Sequence, residues 1–120
     1  MKAQAFALLC LTAASCAPQA PPPRQPLQLD CAKGFDALAA AVAAAPRLQL
    51  AAPPGEPYGF YNAADGAISF VVTKPEAPAH PAILRQAAAG GTMRTTGCSF
   101  GDKAAYEQLV GYLGSLAAAR

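Results

Sequence analysis

The sequence predicts a small α+β domain: an antiparallel sheet of three to five strands, with an N-terminal and a C-terminal helix packed on one face, joined by one disulfide. Three observations carry this expectation. Ala67 to Thr73 alternates, with Ile68, Phe70 and Val72 on one side and Ser69, Val71 and Thr73 on the other, and it follows an Asp65-Gly66 turn, which together mark a β-hairpin. Apolar residues recur at helical spacing near the start of the domain and again near its end. The stretches between those two stripes are bounded by turn residues at Pro53-Pro54-Gly55, Asp65-Gly66 and Gly90-Gly91.

Taken in order, the chain begins with Lys2 ahead of an apolar run, Ala3 to Ala14, of about a dozen residues. That run fits the hydrophobic region of an export signal and is too short to span a bilayer. It meets Ala13-Ala14-Ser15-Cys16. Here the sequence resembles a bacterial lipoprotein precursor, whose lipobox places an aliphatic residue and two small residues ahead of a Cys. The first of those positions is usually Leu, and here it is Ala13. The resemblance covers the signal and lipobox only. It implies cleavage of residues 1–15, acylation of Cys16 and anchoring in the cell envelope. Ala17 carries no inner-membrane retention signal, so in a Gram-negative source the anchor would be the outer membrane, with the domain facing the periplasm. Several acyl chains anchor stably where one binds only reversibly.

Residues 16–28 then form the acylated Cys and a Pro-rich linker, and residues 29–120 the domain. Ala17 to Pro26 reads APQAPPPRQP. Proline at that density favours polyproline II, which at about 3.1 Å per residue spaces the domain roughly 25–30 Å from the membrane. With Cys10 lost in the signal and Cys16 acylated, Cys31 and Cys98 remain as an even pair in an oxidising compartment. A disulfide between them closes nearly the whole domain, a constraint of about 4 kcal/mol in the chain-entropy account. A metal site would need more ligands than a chain with one His offers.

Asp30 is a candidate N-cap for a helix whose stripe runs Cys31, Phe35, Leu38, Val42 and Ala45, ending at Pro46. Gly34 weakens its first turn, which moves the expected start toward Phe35. Arg47 to Ala51 alternates and reads as a short strand, and Tyr58 to Asn62 as another, with Tyr58 and Phe60 facing one way and Tyr61 the other. Lys74 to Pro81 has proline at every third position, the period of polyproline II. It is either a partner-facing loop with His80 at its tip or a stiff connection between strands. Ala82 to Ala88 reads as strand in preference to a short helix, paired with Thr92 to Thr96 across Gly90-Gly91. The last helix has Asp102 as a candidate cap, within the looser capping pattern Ser99-x-x-Asp102, and a stripe of Tyr106, Leu109, Leu113 and Leu116. Gly111 and Gly114 would allow another backbone to approach.

Composition bounds the function. The precursor carries a net charge of +2, and loss of Lys2 leaves eight basic against seven acidic residues. That near-neutral balance argues against a nucleic-acid partner. No nucleophile–base set, cofactor motif or metal-ligand spacing stands out, so the expectation is a non-catalytic, cofactor-free binding or structural module whose partner is another envelope protein or a cell-wall component. The alternative is an inhibitor of a periplasmic or exogenous hydrolase, inserting the Lys74–Pro81 loop into an enzyme cleft. Candidate partner-binding residues are Lys74, Glu76, His80, Arg85 and Arg94, of which Lys74, Arg85 and Arg94 would converge near the Pro loop to meet an anionic group.

Overall fold

The computed structural model describes residues 27–118. The signal, Cys16 and the Pro-rich stretch 17–26 lie outside the described residues. A single 3-10 turn at Cys31–Lys33 precedes helix α1, Phe35–Ala44. Strands β1 (Leu48–Ala51), β2 (Tyr58–Ala63), β3 (Ile68–Thr73), β4 (Ala82–Ala89) and β5 (Thr92–Ser99) follow, and helix α2, Lys103–Ala118, closes the domain. The strands form one antiparallel meander in the order β1-β2-β3-β4-β5.

Local chemistry accounts for most of the boundaries. Asp30 accepts a hydrogen bond from the Ala32 N–H and so caps the 3-10 turn. Gly34 then takes φ +85°, a backbone state that costs glycine least, and α1 starts at Phe35. Between β2 and β3 the Gly66 N–H closes the turn on the Ala63 carbonyl, and the Asp65 carboxylate accepts from the Ala67 N–H. Gly90 and Gly91 both have positive φ and join β4 to β5 through a two-residue connection, with Ala89 opposite Thr92. That geometry matches the right-handed twist of the flanking strands. At α2, Asp102 itself is the cap, accepting from the Ala105 N–H at 2.8 Å.

The helices lie on opposite faces of the sheet, which corrects the expectation that they share one. Leu38 and Val42 of α1 pack with Phe70, Ile83 and Cys98. Leu109 and Leu113 of α2 pack with Val71, Ala82 and Leu84. Residues 70 and 71, and likewise 83 and 84, are neighbours in a strand and must point to opposite sides. The physical reason is that the central strands are apolar on both sides. Phe70-Val71 and Ala82-Ile83-Leu84 are all buried, and a sheet with two apolar faces needs a cover on each. Full burial of a Leu, Ile or Phe side chain contributes about 1.5–3 kcal/mol, so neither face is dispensable. A second correction concerns α2: a Cβ built on Gly111 or Gly114 would meet nothing within 4 Å, so these glycines do not mediate a close backbone approach.

The disulfide joins Cys31 to Cys98, with their Cα atoms 5.5 Å apart. It ties the turn ahead of α1 to the end of β5, on the α1 side of the sheet. Helix α2 starts four residues after Ser99 and crosses the other face. Its approach depends on Gly97, where an added Cβ would lie 2.6 Å from the Ile83 carbonyl oxygen and 2.7 Å from the Tyr106 hydroxyl.

Candidate functional site

The Lys74–Pro81 loop, a candidate partner site, is different from both polyproline II and a projecting tip. The Ala77 N–H donates to the Lys74 carbonyl, and the His80 N–H to the Ala77 carbonyl, so the loop is a pair of consecutive turns. Its small residues face inward: Ala77 and Ala79 are buried, while Pro75, Glu76 and Pro78 are exposed. Alanine at those two positions allows the loop to lie flat on the end of the sheet.

His80 is turned into the structure. Its Nδ1 lies 3.2 Å from the Thr73 carbonyl oxygen and 2.9 Å from Thr73 Oγ1. A carbonyl only accepts, so Nδ1 is a nitrogen that carries a proton. The buried Thr73 hydroxyl in turn donates to the Ala82 carbonyl and accepts from the Ala82 N–H. Phe35 meets the imidazole edge-on, with ring centroids 5.0 Å apart, and Phe100 meets Phe35 in the same manner. His80 therefore closes the sheet end. Gly101 completes the closure, since a Cβ there would meet the His80 carbonyl oxygen at 2.6 Å.

The basic residues do not gather at this loop. The Lys74 ammonium donates to the Glu56 carbonyl at 3.3 Å. Arg85 lies opposite Thr96 and Arg94 opposite Ala87, so Arg94 sits toward the Gly90-Gly91 end. With strands rising about 3.3 Å per residue, the backbone at Lys74 is roughly 20 Å along the sheet from that of Arg94. The expected three-way cluster separates into an arginine pair on β4–β5 and a lysine held elsewhere. Nε of Arg85 is buried and has no hydrogen-bond partner.

On the α2 side, Tyr112 of α2 joins Tyr58 and Phe60 of β2 in an aromatic surface. Tyr112 is 40% exposed and its ring sits 6.4 Å from that of Tyr58 at a 34° tilt. Phe60 meets Tyr58 edge-on at the same separation. Leu116, one turn beyond Tyr112, is 37% exposed. The signal for this surface was the helical stripe itself: Tyr112 falls off the line of Tyr106, Leu109 and Leu113, which aims an aromatic ring away from the core. Burial raises the Tyr58 phenol above its usual pKa, and the nearby Glu56 carboxylate and Tyr112 add to the rise. Burial alone raises Tyr106. On the open edge of the sheet, Leu50 of β1 is 58% exposed.

Among the described residues no three His, Cys, Asp or Glu side chains gather as a metal site, and no helix is long and apolar enough to cross a membrane. No protein-family model, curated protein or solved structure matches the chain.

Proposed function

We propose that this chain is a lipid-anchored cell-envelope protein whose domain binds or supports another envelope component without transforming it. The observation that carries the reading is the aromatic surface of Tyr58, Phe60 and Tyr112, with Leu116 beside it. Aromatic side chains bring large contact area at low entropic cost, and they dominate the energetics of protein interfaces. The lipobox-like Ala13-Ala14-Ser15-Cys16 and the Pro-rich spacer after it support an anchor that would hold this surface within reach of partners at a membrane.

The test places a photo-reactive amino acid at position 112 of the full chain in intact envelopes, with position 36 on α1 as the control. A discrete adduct at 112 that is absent at 36 and lost on Tyr58→Ala is the expected result. Equal, diffuse labelling at both positions would remove the basis for a binding surface. Mass spectrometry of the mature chain tests the anchor separately: acyl mass on Cys16 is expected, and an unmodified N-terminus would refute it.

A second reading, inhibition of a periplasmic or exogenous hydrolase, draws support from the anchored loop. Buried Ala77 and Ala79 fix the loop against the sheet and leave Pro75, Glu76 and Pro78 exposed in a set shape, and preorganisation of that kind lowers the cost of docking against an enzyme surface. On this reading Glu76→Ala abolishes inhibition of a captured hydrolase and leaves the 112 adduct unchanged.

A further inference from the structure

We propose that Arg85 and Arg94 form an oxyanion site on the α1 face of β4 and β5, taking a carboxylate or phosphate group of an envelope ligand. This deepens the binding-module reading by assigning a ligand chemistry to a second surface, distinct from the aromatic one. The register places the residues. Arg85 is opposite both Phe70 on β3 and Thr96 on β5, and Arg94 is opposite Ala87. Opposed residues share a face, as do residues two apart in a strand. Arg85, Thr96 and Arg94 therefore project from the side on which Phe70 packs with α1.

Arg85 and Arg94 are diagonal neighbours across the ladder, a separation of about 7–8 Å. Two guanidinium groups rooted that close repel each other, and an anion between them converts the repulsion into two attractions. Arg85 is half-buried and its Nε is enclosed without a partner. A buried donor left unpaired is unfavourable, and it is relieved when the half-exposed side chain swings outward, so that an oxyanion accepts from Nε and the adjacent Nη side by side in the fork geometry in which guanidinium meets planar carboxylate or phosphate. Arg94 and Thr96 are exposed on the edge strand β5, so the second cation and a hydroxyl donor are free to move onto the same anion. A phosphate or carboxylate is favoured over a simple halide because two forks and a hydroxyl together supply several directed donors.

The experiment titrates the full chain, isotopically labelled and held in mild detergent, with inorganic phosphate and separately with acetate, both at constant ionic strength set by chloride. A saturable shift of the Arg85 Nε–H resonance is expected. Replacement of the exposed Arg94 in Arg94→Gln is expected to weaken it at least tenfold with the fold unchanged by its amide spectrum. Arg94→Glu supplies an internal carboxylate beside Arg85 and is expected to raise the Tm and abolish the phosphate response. The tighter of phosphate and acetate names the source of the oxyanion. A shift reproduced by chloride, or one undiminished in Arg94→Gln and Arg94→Glu, overturns the proposal. Because the readout is Arg85 itself, that failure leaves the aromatic surface and its crosslinking test standing.

Discussion

Gly97→Ala is the sharpest test of how α2 meets the sheet. A Cβ at this position would fall 2.6 Å from the Ile83 carbonyl oxygen, 2.7 Å from the Tyr106 hydroxyl and 2.9 Å from the Leu84 Cα. Two of these three neighbours are backbone of β4, paired to β5 along its whole length, so they move only by spreading the ladder. Overpacking a well-filled site costs about 1–3 kcal/mol, and contacts against backbone place this substitution at the upper end, about 3 kcal/mol. For a domain of this size 1 kcal/mol moves the Tm by roughly 4–8 °C, so a fall of about 12–24 °C is expected in a thermal melt followed by circular dichroism. Tyr106→Phe removes the hydroxyl contact alone. The double variant should therefore recover a part of the loss, with the remainder assigned to Ile83 and Leu84. Gly111→Ala is the internal control. It sits in a helix interior with nothing within 4 Å of its new Cβ, and should gain about 0.5–1 kcal/mol. A Gly97→Ala melt within 3 °C of the parent would refute the packing of Tyr106 over β5.

Three further outcomes follow from the same structure. Paired Cys31→Ser and Cys98→Ser substitution removes a link across a sequence separation of 67, and denaturant unfolding should show a loss of about 4 kcal/mol; a loss under 1 kcal/mol would contradict that account. Asp102→Ala deletes the bond to the Ala105 N–H and should cost about 1 kcal/mol in the same assay, with no loss if Ser99 caps the helix instead. Tyr58 and Tyr106 have phenols raised above 10.0 by burial, so the unfolded chain releases these protons before the folded one. Their contribution to stability is intact below pH 10 and is lost as the pH rises through the folded-state values. Phenolate absorbance should accordingly show a component that ionises later in the folded chain than in the unfolded one and that is lost when Tyr58 and Tyr106 are replaced by Phe; coincident folded and unfolded titrations would refute it.

Much of this fold was legible from short range, and the parts that were not have an identifiable cause. The β2–β3 and β4–β5 hairpins follow from Asp65-Gly66 and Gly90-Gly91, because a turn of fixed geometry fixes the register of the strands it joins. The Cys31–Cys98 bridge was expected from the sequence once Cys10 and Cys16 were assigned to the signal and lipobox-like stretch, and the two sulfurs are bonded. The late start of α1 follows from Gly34. The candidate site was less legible. Glu76 is exposed as a partner-facing residue would be, but His80 is committed to Thr73, a contact between residues seven apart that proline periodicity could not foretell. Lys74 parted from Arg85 and Arg94 because proximity between strands depends on register, which composition does not contain.

The sequence by itself pointed to the two helices and to the β2–β3 and β4–β5 hairpins, because these are set by periodicity and turn chemistry, and it put forward Cys31 and Cys98 as the bridged pair. Only the tertiary structure decided on which side each helix lies. Alanine-rich α1 and the apolar stripe of α2 fit either face equally well in isolation. The choice came from Phe70 beside Val71 and Ile83 beside Leu84, residues that adjoin in the chain and point apart in the sheet, so that two cores had to be covered and one helix went to each.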